Sequence, residues 1–265
     1  MIGNIVIFGR EFSSYAVMAL IGALAAGAFS YLMAKRKKLN EVNMVFVLLF
    51  AVIGVFIGGH LVYALTNIPY FYLIGHIHDW DSFVAIMGGI FGGQVFYGGL
   101  LGGIAAGGIA VKVMKVKPLG GYTDILACAV PLFHCFGRIG CFVGGCCYGV
   151  EWEHGITFHN SMLEIANGVP RFPVQLVEAG FNLLLFLFLL WMLQKGKMKH
   201  YLFFLYLAIY AVGRFILEFF RGDTYRGIWF GVSTSQIISI LILLFCGVFG
   251  LYKLLQSRKA RKIES

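Results

Sequence analysis

The sequence predicts an all-α polytopic integral membrane protein of about seven transmembrane helices, N-terminus outside and C-terminus cytoplasmic. Three observations predict it. The 265 residues are 60% hydrophobic and only 12% charged, whereas soluble domains carry about 25% charged residues. The mean hydropathy is +0.84, so the bilayer is the solvent for the fold. Apolar runs of the roughly 20 residues needed to cross about 30 Å of hydrocarbon recur along the chain. We read residues 1–265 as a single transmembrane domain.

The runs fall at about 12–34, 42–65, 84–111, 123–143, 174–194, 200–220 and 232–253. The first is followed by Lys35, Arg36, Lys37 and Lys38 and then by more spans, so it reads as a membrane helix rather than a secretory leader. The third is glycine-rich, "MGGIFGGQVFYGGLLGGIAAGG". Small residues let helix backbones approach closely in lipid, and so many glycines equally permit a broken helix where protein covers the irregular backbone.

Fifteen of the 21 lysines and arginines follow the first, third, fifth and seventh runs, all on one side of a seven-span chain. The positive-inside rule makes that side cytoplasmic. The net charge of +9 therefore reflects basic loops, and no nucleic-acid partner is expected. The remaining six are all arginines: Arg10, Arg138, Arg171, Arg214, Arg221 and Arg226. A guanidinium grips phosphate with a planar fork, where lysine offers a point charge. Chemistry on an anion is thus expected toward the outer face, with Arg10 and Arg226 serving as headgroup contacts.

Arg138 and Arg214 lie inside or at the end of apolar spans, where an arginine costs about 2.5–3.5 kcal/mol on the insertion scale. Such residues face a partner or a cavity. Arg214, in "GRFILEFFRGD", has Glu218 one helical turn on. Arg138 has no acid at helical spacing; its neighbours are His134 at i−4 and Cys141 at i+3. It is expected to take its anion from elsewhere, a lipid phosphate being the obvious supply.

Around Arg138, "FHCFGRIGCFVGGCCYG" holds Cys135, Cys141, Cys146 and Cys147. A thiolate metal site is one reading, although the spacing lacks C-x-x-C pairs. A redox or regulatory disulfide is another, and direct participation of a thiol a third. Sulfur as a small apolar group in lipid is the reading the composition favours. No metal and no cofactor are expected.

The stretches "FYGGLLGG", "FGRIGCFVGGCCYG", "PVQLVEA" and "GRFILEFFRGD", in that order, resemble the prolipoprotein diacylglyceryl transferase family. The resemblance runs from about Gly58 to Ser239. It implies a seven-helix bacterial plasma-membrane enzyme with its site toward the outer leaflet. That enzyme moves diacylglycerol from phosphatidylglycerol to the lipobox cysteine of a prolipoprotein signal peptide and releases glycerol phosphate. The family's two functional arginines fall on Arg138 and Arg214, with the acid on Glu218. Its signature glycines fall on Gly137, Gly140, Gly145 and Gly149, and its proline–glutamine–leucine–glutamate element on Pro173, Gln175, Leu176 and Glu178. The chain departs from the family at several polar positions. Tyr97 stands where relatives carry a histidine implicated in catalysis. Cys141, Gly144 and Cys146 replace two asparagines and a glutamate, Phe172 replaces a histidine, and His60 replaces an arginine.

The expected catalytic set is Arg138, Arg214, Tyr97, Glu218 and His134. The expected substrate-binding set is Arg138, Arg214, Gly98, Gly99, Gly137, Gly140, Gly149, Gln175 and Arg221. Physically, a free thiol with a pKa near 8.5 is mostly protonated at neutral pH. Cations beside it favour thiolate, and cations at the phosphate absorb the charge that builds on the leaving group. Tyr97, with a reference pKa near 10, is a weak base, so His134 and His60 are the substitutes. A related transferase with another acceptor, a phospholipid-binding or lipid-transport protein without chemistry, and a membrane thiol oxidoreductase are the alternatives.

Overall fold

A computed structural model describes residues 4–7, 10–159, 161, 163–223, 228–229 and 231–264, with backbone alone at 4–7, 10–11, 96–97, 228–229 and 257–264. The antiparallel hairpin β1 (Asn4–Ile7) and β2 (Arg10–Ser13) leads into α1 (Ser14–Arg36), whose last turn carries Lys35 and Arg36. Cations there complement the helix C-terminus. Helix α2 (Glu41–Thr66) opens on Asn40, whose side chain accepts from the Asn43 amide at 3.0 Å. A 3₁₀ segment (Ile68–His76) precedes α3 (Trp80–Phe91), which begins with a reciprocal cap: Asp79 accepts from the Ser82 amide at 2.7 Å, and Ser82 Oγ accepts from the Asp79 amide at 3.0 Å. Next come α4 (Phe96–Val113) and α5 (Leu119–Gly144). Strands β3 (Glu151–Thr157) and β4 (Pro170–Arg171) pair antiparallel before α6 (Val174–Gln194) and α7 (Leu202–Leu217). A 3₁₀ turn (Glu218–Phe220) and the short pair β5 (Ile228–Trp229) and β6 (Val232–Ser233) lead to α8 (Thr234–Glu264).

Among the described residues, six helical segments are long and apolar enough to cross a bilayer: Ser14–Arg36, Glu41–Thr66, Leu119–Gly144, Val174–Gln194, Leu202–Phe220 and Thr234–Gln256. The third expected run, 84–111, is not one helix. It breaks between α3 and α4 at Gly92, Gly93, Gln94 and Val95. There the Val95 amide leaves the helical pattern and donates to the Gly59 carbonyl at 3.1 Å. A Cβ on Gly93 would overlap the Tyr63 ring. The 18 residues of α4 rise about 27 Å, close to the hydrocarbon thickness.

The chain forms two compact units, residues 30–119 and residues 1–29 with 120–265. The first is built on the α2–α4 crossing. Gly54 and Gly58 on α2 face Gly98 and Gly102 on α4, each pair four residues apart. A Cβ at Gly58 would overlap the Gly98 carbonyl, and one at Gly54 the Gly102 carbonyl. Lipid gives helices no hydrophobic reason to associate, so backbone proximity through small residues supplies the contact.

In the second unit, large apolar side chains such as Leu184, Leu244 and Val248 point outward, while polar groups are buried. Asp124 on α5 accepts from the His200 amide at 2.6 Å and the Leu202 amide at 3.1 Å, capping the start of α7. On α6, Gln175, Glu178 and Asn182 are all buried. Their i, i+3, i+7 spacing makes them one stripe of one helix face. That stripe positions the site.

Candidate active site

Four helices of the second unit bring charged groups together at one end. Helix α5 contributes His134, Arg138 and Cys141, spaced i, i+4, i+7 on one face. Glu178 comes from the first turns of α6, Arg214 and Glu218 from the end of α7, and Ser235 from the start of α8.

Glu178 is the hub. Its Oε2 lies 2.9 Å from Arg138 Nε and 3.3 Å from Arg214 Nη1, and its Oε1 lies 3.7 Å from His134 Nε2. Arg214 Nη2 reaches Glu218 Oε2 at 2.6 Å and donates to Ser235 Oγ at 3.1 Å. The Glu178 side chain is 2% exposed and those of Arg138 and Arg214 are 12% and 11%. Two guanidiniums and two carboxylates thus neutralise one another where neither sign would be tolerated alone. The His134 ring packs on Tyr210 with centroids 5.3 Å apart. Gln175 Oε1 and Asn182 Oδ1 are buried without a hydrogen-bond partner among the described residues, while Glu178 is also hydrogen-bonded by Tyr210.

The expected pairing of Arg214 with Glu218 is present. The expectation that Arg138 lacks a protein anion is corrected. Its carboxylate, Glu178, comes from a different helix, and helical spacing along α5 says nothing about it. The i, i+3, i+7 polar stripe in apolar α6 was the available signal for Glu178, which the expected catalytic set omitted. Arg221, expected to bind substrate, is gripped by Asp223 through both fork positions, Nε to Oδ1 at 2.9 Å and Nη2 to Oδ2 at 2.5 Å. Burial opposes its charge, but that carboxylate holds Arg221 above the usual arginine range. Arg171 lies 4.4 Å over the Tyr148 ring and donates to the carbonyls of Ile165 at 2.8 Å and of Ala166 and Gly149 at 3.4 Å.

Gln175 donates from Nε2 to the Cys146 carbonyl at 2.9 Å, fixing the loop that follows α5. Gly149 bridges to the Arg221 backbone, and a Cβ there would overlap the Phe172 carbonyl. Gly140 packs on Tyr15 and Met18 of α1, while a Cβ at Gly137 would meet nothing within 4 Å. Gly98 and Gly99 belong to the α2–α4 crossing, where Gly98 fits against Gly58 and Val62 and Gly99 against Val55. His60 is satisfied by the Phe91 carbonyl, 2.7 Å from its Nδ1. Tyr97 is the second residue of α4 and its side chain lies outside the described residues, as does the Arg10 side chain; Arg226 lies outside them entirely.

Three of the six cysteines lie together. Cys141, Cys146 and Cys147 bring their Sγ atoms within 4.8 Å of one another, and Arg138 Nη1 donates to Cys141 Sγ at 3.7 Å. All six cysteines are free thiols.

Residues 4–252 match the family model described as prolipoprotein diacylglyceryl transferase. The phosphatidylglycerol–prolipoprotein diacylglyceryl transferase of Clostridium tetani is 34% identical over 245 residues, covering 92% of this chain and 93% of that protein. The second such transferase of Clostridium perfringens is 35% identical, covering 90% of each. That of Geobacter sulfurreducens is 35% identical, covering 86% of each.

Proposed function

The chain belongs to the prolipoprotein diacylglyceryl transferase family, and on that premise we propose that it moves the diacylglyceryl group of phosphatidylglycerol to the lipobox cysteine of a prolipoprotein. The observation that carries this reading is the sharing of one Glu178 oxygen by Arg138 and Arg214. The sharing sets two guanidiniums side by side at a buried site.

The reaction forms a carbon–sulfur bond at the glycerol carbon and breaks that carbon's bond to the phosphate oxygen. Glycerol phosphate leaves with the electron pair. Charge therefore grows on the phosphate as the bond breaks, and fixed donors in a water-poor site stabilise it without reorganising. Arg138 and Arg214 are the proposed donors, and Glu178 and Glu218 hold them in place. His134, whose Nε2 lies 3.7 Å from Glu178 Oε1, is the proposed acceptor of the thiol proton. That arrangement is the proposed substitute for the histidine that relatives carry at the Tyr97 position.

The proposed setting is the plasma membrane of a bacterium with the site toward the outer leaflet. Charge placement supports it. The cluster occupies the ends of α5, α6, α7 and α8 opposite those flanked by Lys117, Lys195, Lys199 and Lys253, and lysine-rich ends face the cytoplasm. A phospholipid-binding protein without chemistry is the second reading, favoured by Tyr97 at the histidine position.

The test uses purified protein in detergent with phosphatidylglycerol and a lipobox peptide. Mass spectrometry is expected to find a diacylglyceryl thioether on the peptide cysteine and released glycerol phosphate, both absent with Arg138→Ala. Phosphatidylglycerol binding without either product would sink the transferase reading in favour of the second.

A further inference from the structure

We propose that Cys141, Cys146 and Cys147 form a three-thiolate site for one thiophilic d¹⁰ cation, Zn²⁺ or Cu⁺, beside the arginine–glutamate cluster. Their Sγ atoms lie within 4.8 Å of one another. Around a zinc with bonds of about 2.3 Å, tetrahedral sulfurs stand roughly 3.8 Å apart. Small side-chain rotations close the difference.

The convergence is built by the backbone. Cys141 sits in the last turn of α5, and the chain must reverse at once for Cys146 and Cys147 to face back toward it. Gly145 at φ +74° and Cys147 at φ +55° make that reversal. A side-chain-bearing residue avoids that region unless its surroundings demand it. The loop is pinned from both sides. Gln175 Nε2 donates to the Cys146 carbonyl at 2.9 Å, and Ser161 Oγ donates to the Gly145 carbonyl at 2.8 Å.

The donor set points to the ion. Three sulfurs with no imidazole or carboxylate in the group select soft cations over Mg²⁺ or Ca²⁺. Each thiol that ligates releases its proton to solvent. Arg138 Nη1, 3.7 Å from Cys141 Sγ, offsets the excess negative charge of three thiolates on one cation. Zn²⁺ would complete a tetrahedron with water, whereas Cu⁺ accepts the three sulfurs in a plane.

The site rests on thiol geometry rather than on the transferase reading, and its test does not use turnover. Full-length protein is purified in detergent under reducing conditions, stripped with chelator, and given Zn²⁺ in one arm and Cu⁺ in another. Bound metal is counted after desalting, and alkylation of each cysteine is mapped by mass spectrometry. One equivalent of either ion is expected. It should slow alkylation of Cys141, Cys146 and Cys147 by at least about tenfold, with Cys246 unchanged. Cys141→Ser and Cys147→Ser are expected to lose the metal, and Cys246→Ser to keep it. The protection arm uses wild-type protein, so it stands even if a variant misfolds. Failure of both ions to bind or protect would overturn the proposal. So would metal retained equally by the Cys141→Ser and Cys147→Ser variants, or a native disulfide among the three thiols that takes up no metal after reduction.

Discussion

Replacing Glu178 by glutamine tests the hub directly. The change keeps the size and one acceptor oxygen but removes the charge that faces Arg138 at 2.9 Å and Arg214 at 3.3 Å. The carboxylate side chain is 2% exposed, so solvent screening does little. Each contact is worth several kcal/mol of gross attraction even at an effective dielectric near 20, most of it offset by desolvation already suffered on folding. What the variant exposes is the uncompensated cation: removing one partner of a buried pair costs about 3–5 kcal/mol. Glu218 still holds Arg214 at 2.6 Å, so the lower end, about 3 kcal/mol, is expected. The second effect falls on the rate. With its carboxylate gone, Arg138 is no longer fixed where phosphate charge develops, and losing one such donor costs about 10²–10³ in kcat. The assay is transfer from phosphatidylglycerol to a lipobox peptide, read alongside thermal unfolding in detergent. Glu178→Asp, which keeps the charge on a shorter stem, should recover stability more fully than rate. Wild-type turnover and unchanged unfolding in Glu178→Gln would refute the reasoning, because the two arginines would then be held by something other than Glu178.

Three further outcomes follow from the same geometry. Arg138→Lys keeps the charge but loses the fork, and should cut turnover by about tenfold or more while Arg138→Ala abolishes it, measured as thioether product per minute. Gly98→Ala places a methyl against the Gly58 carbonyl and Val62 and should destabilise the α2–α4 crossing by about 1–3 kcal/mol; Gly107→Ala, whose Cβ would meet Ala51 at an ordinary 3.6 Å, should leave unfolding unchanged. Asp124→Asn weakens the acceptor for the His200 and Leu202 amides and should cost about 1 kcal/mol, seen as faster amide exchange at the start of α7.

The cluster shows how sequence and structure divide the work. Arg214 and Glu218 meet because they lie one turn apart on a single helix, and that relation is written in their spacing. Arg138 has no such neighbour, and its sequence environment suggests a cation awaiting a lipid. Its anion sits 40 residues on, in another helix, reached only because α5 and α6 pack with those ends together. Arg221 reads as another phosphate ligand, and the structure adds what spacing did not single out, an Asp223 carboxylate against its fork. The glycine run carries a similar ambiguity. Its composition permits both a continuous helix and a break, and the Val95–Gly59 hydrogen bond and the Gly93 contact with Tyr63 select the break.

By itself the sequence determined the bilayer as solvent and seven apolar runs, six of which are long apolar helices, and it singled out two arginines inside them. Hydropathy and helical periodicity are local properties, and an arginine inside an apolar run stands out in the sequence because it needs a partner or a cavity. Tertiary structure alone decided that Glu178 joins the two arginines and that three cysteines at spacings of five and one share a single point. Those relations depend on how helix ends converge and on a reversal at Gly145 and Cys147, and no period along one helix encodes the position of another.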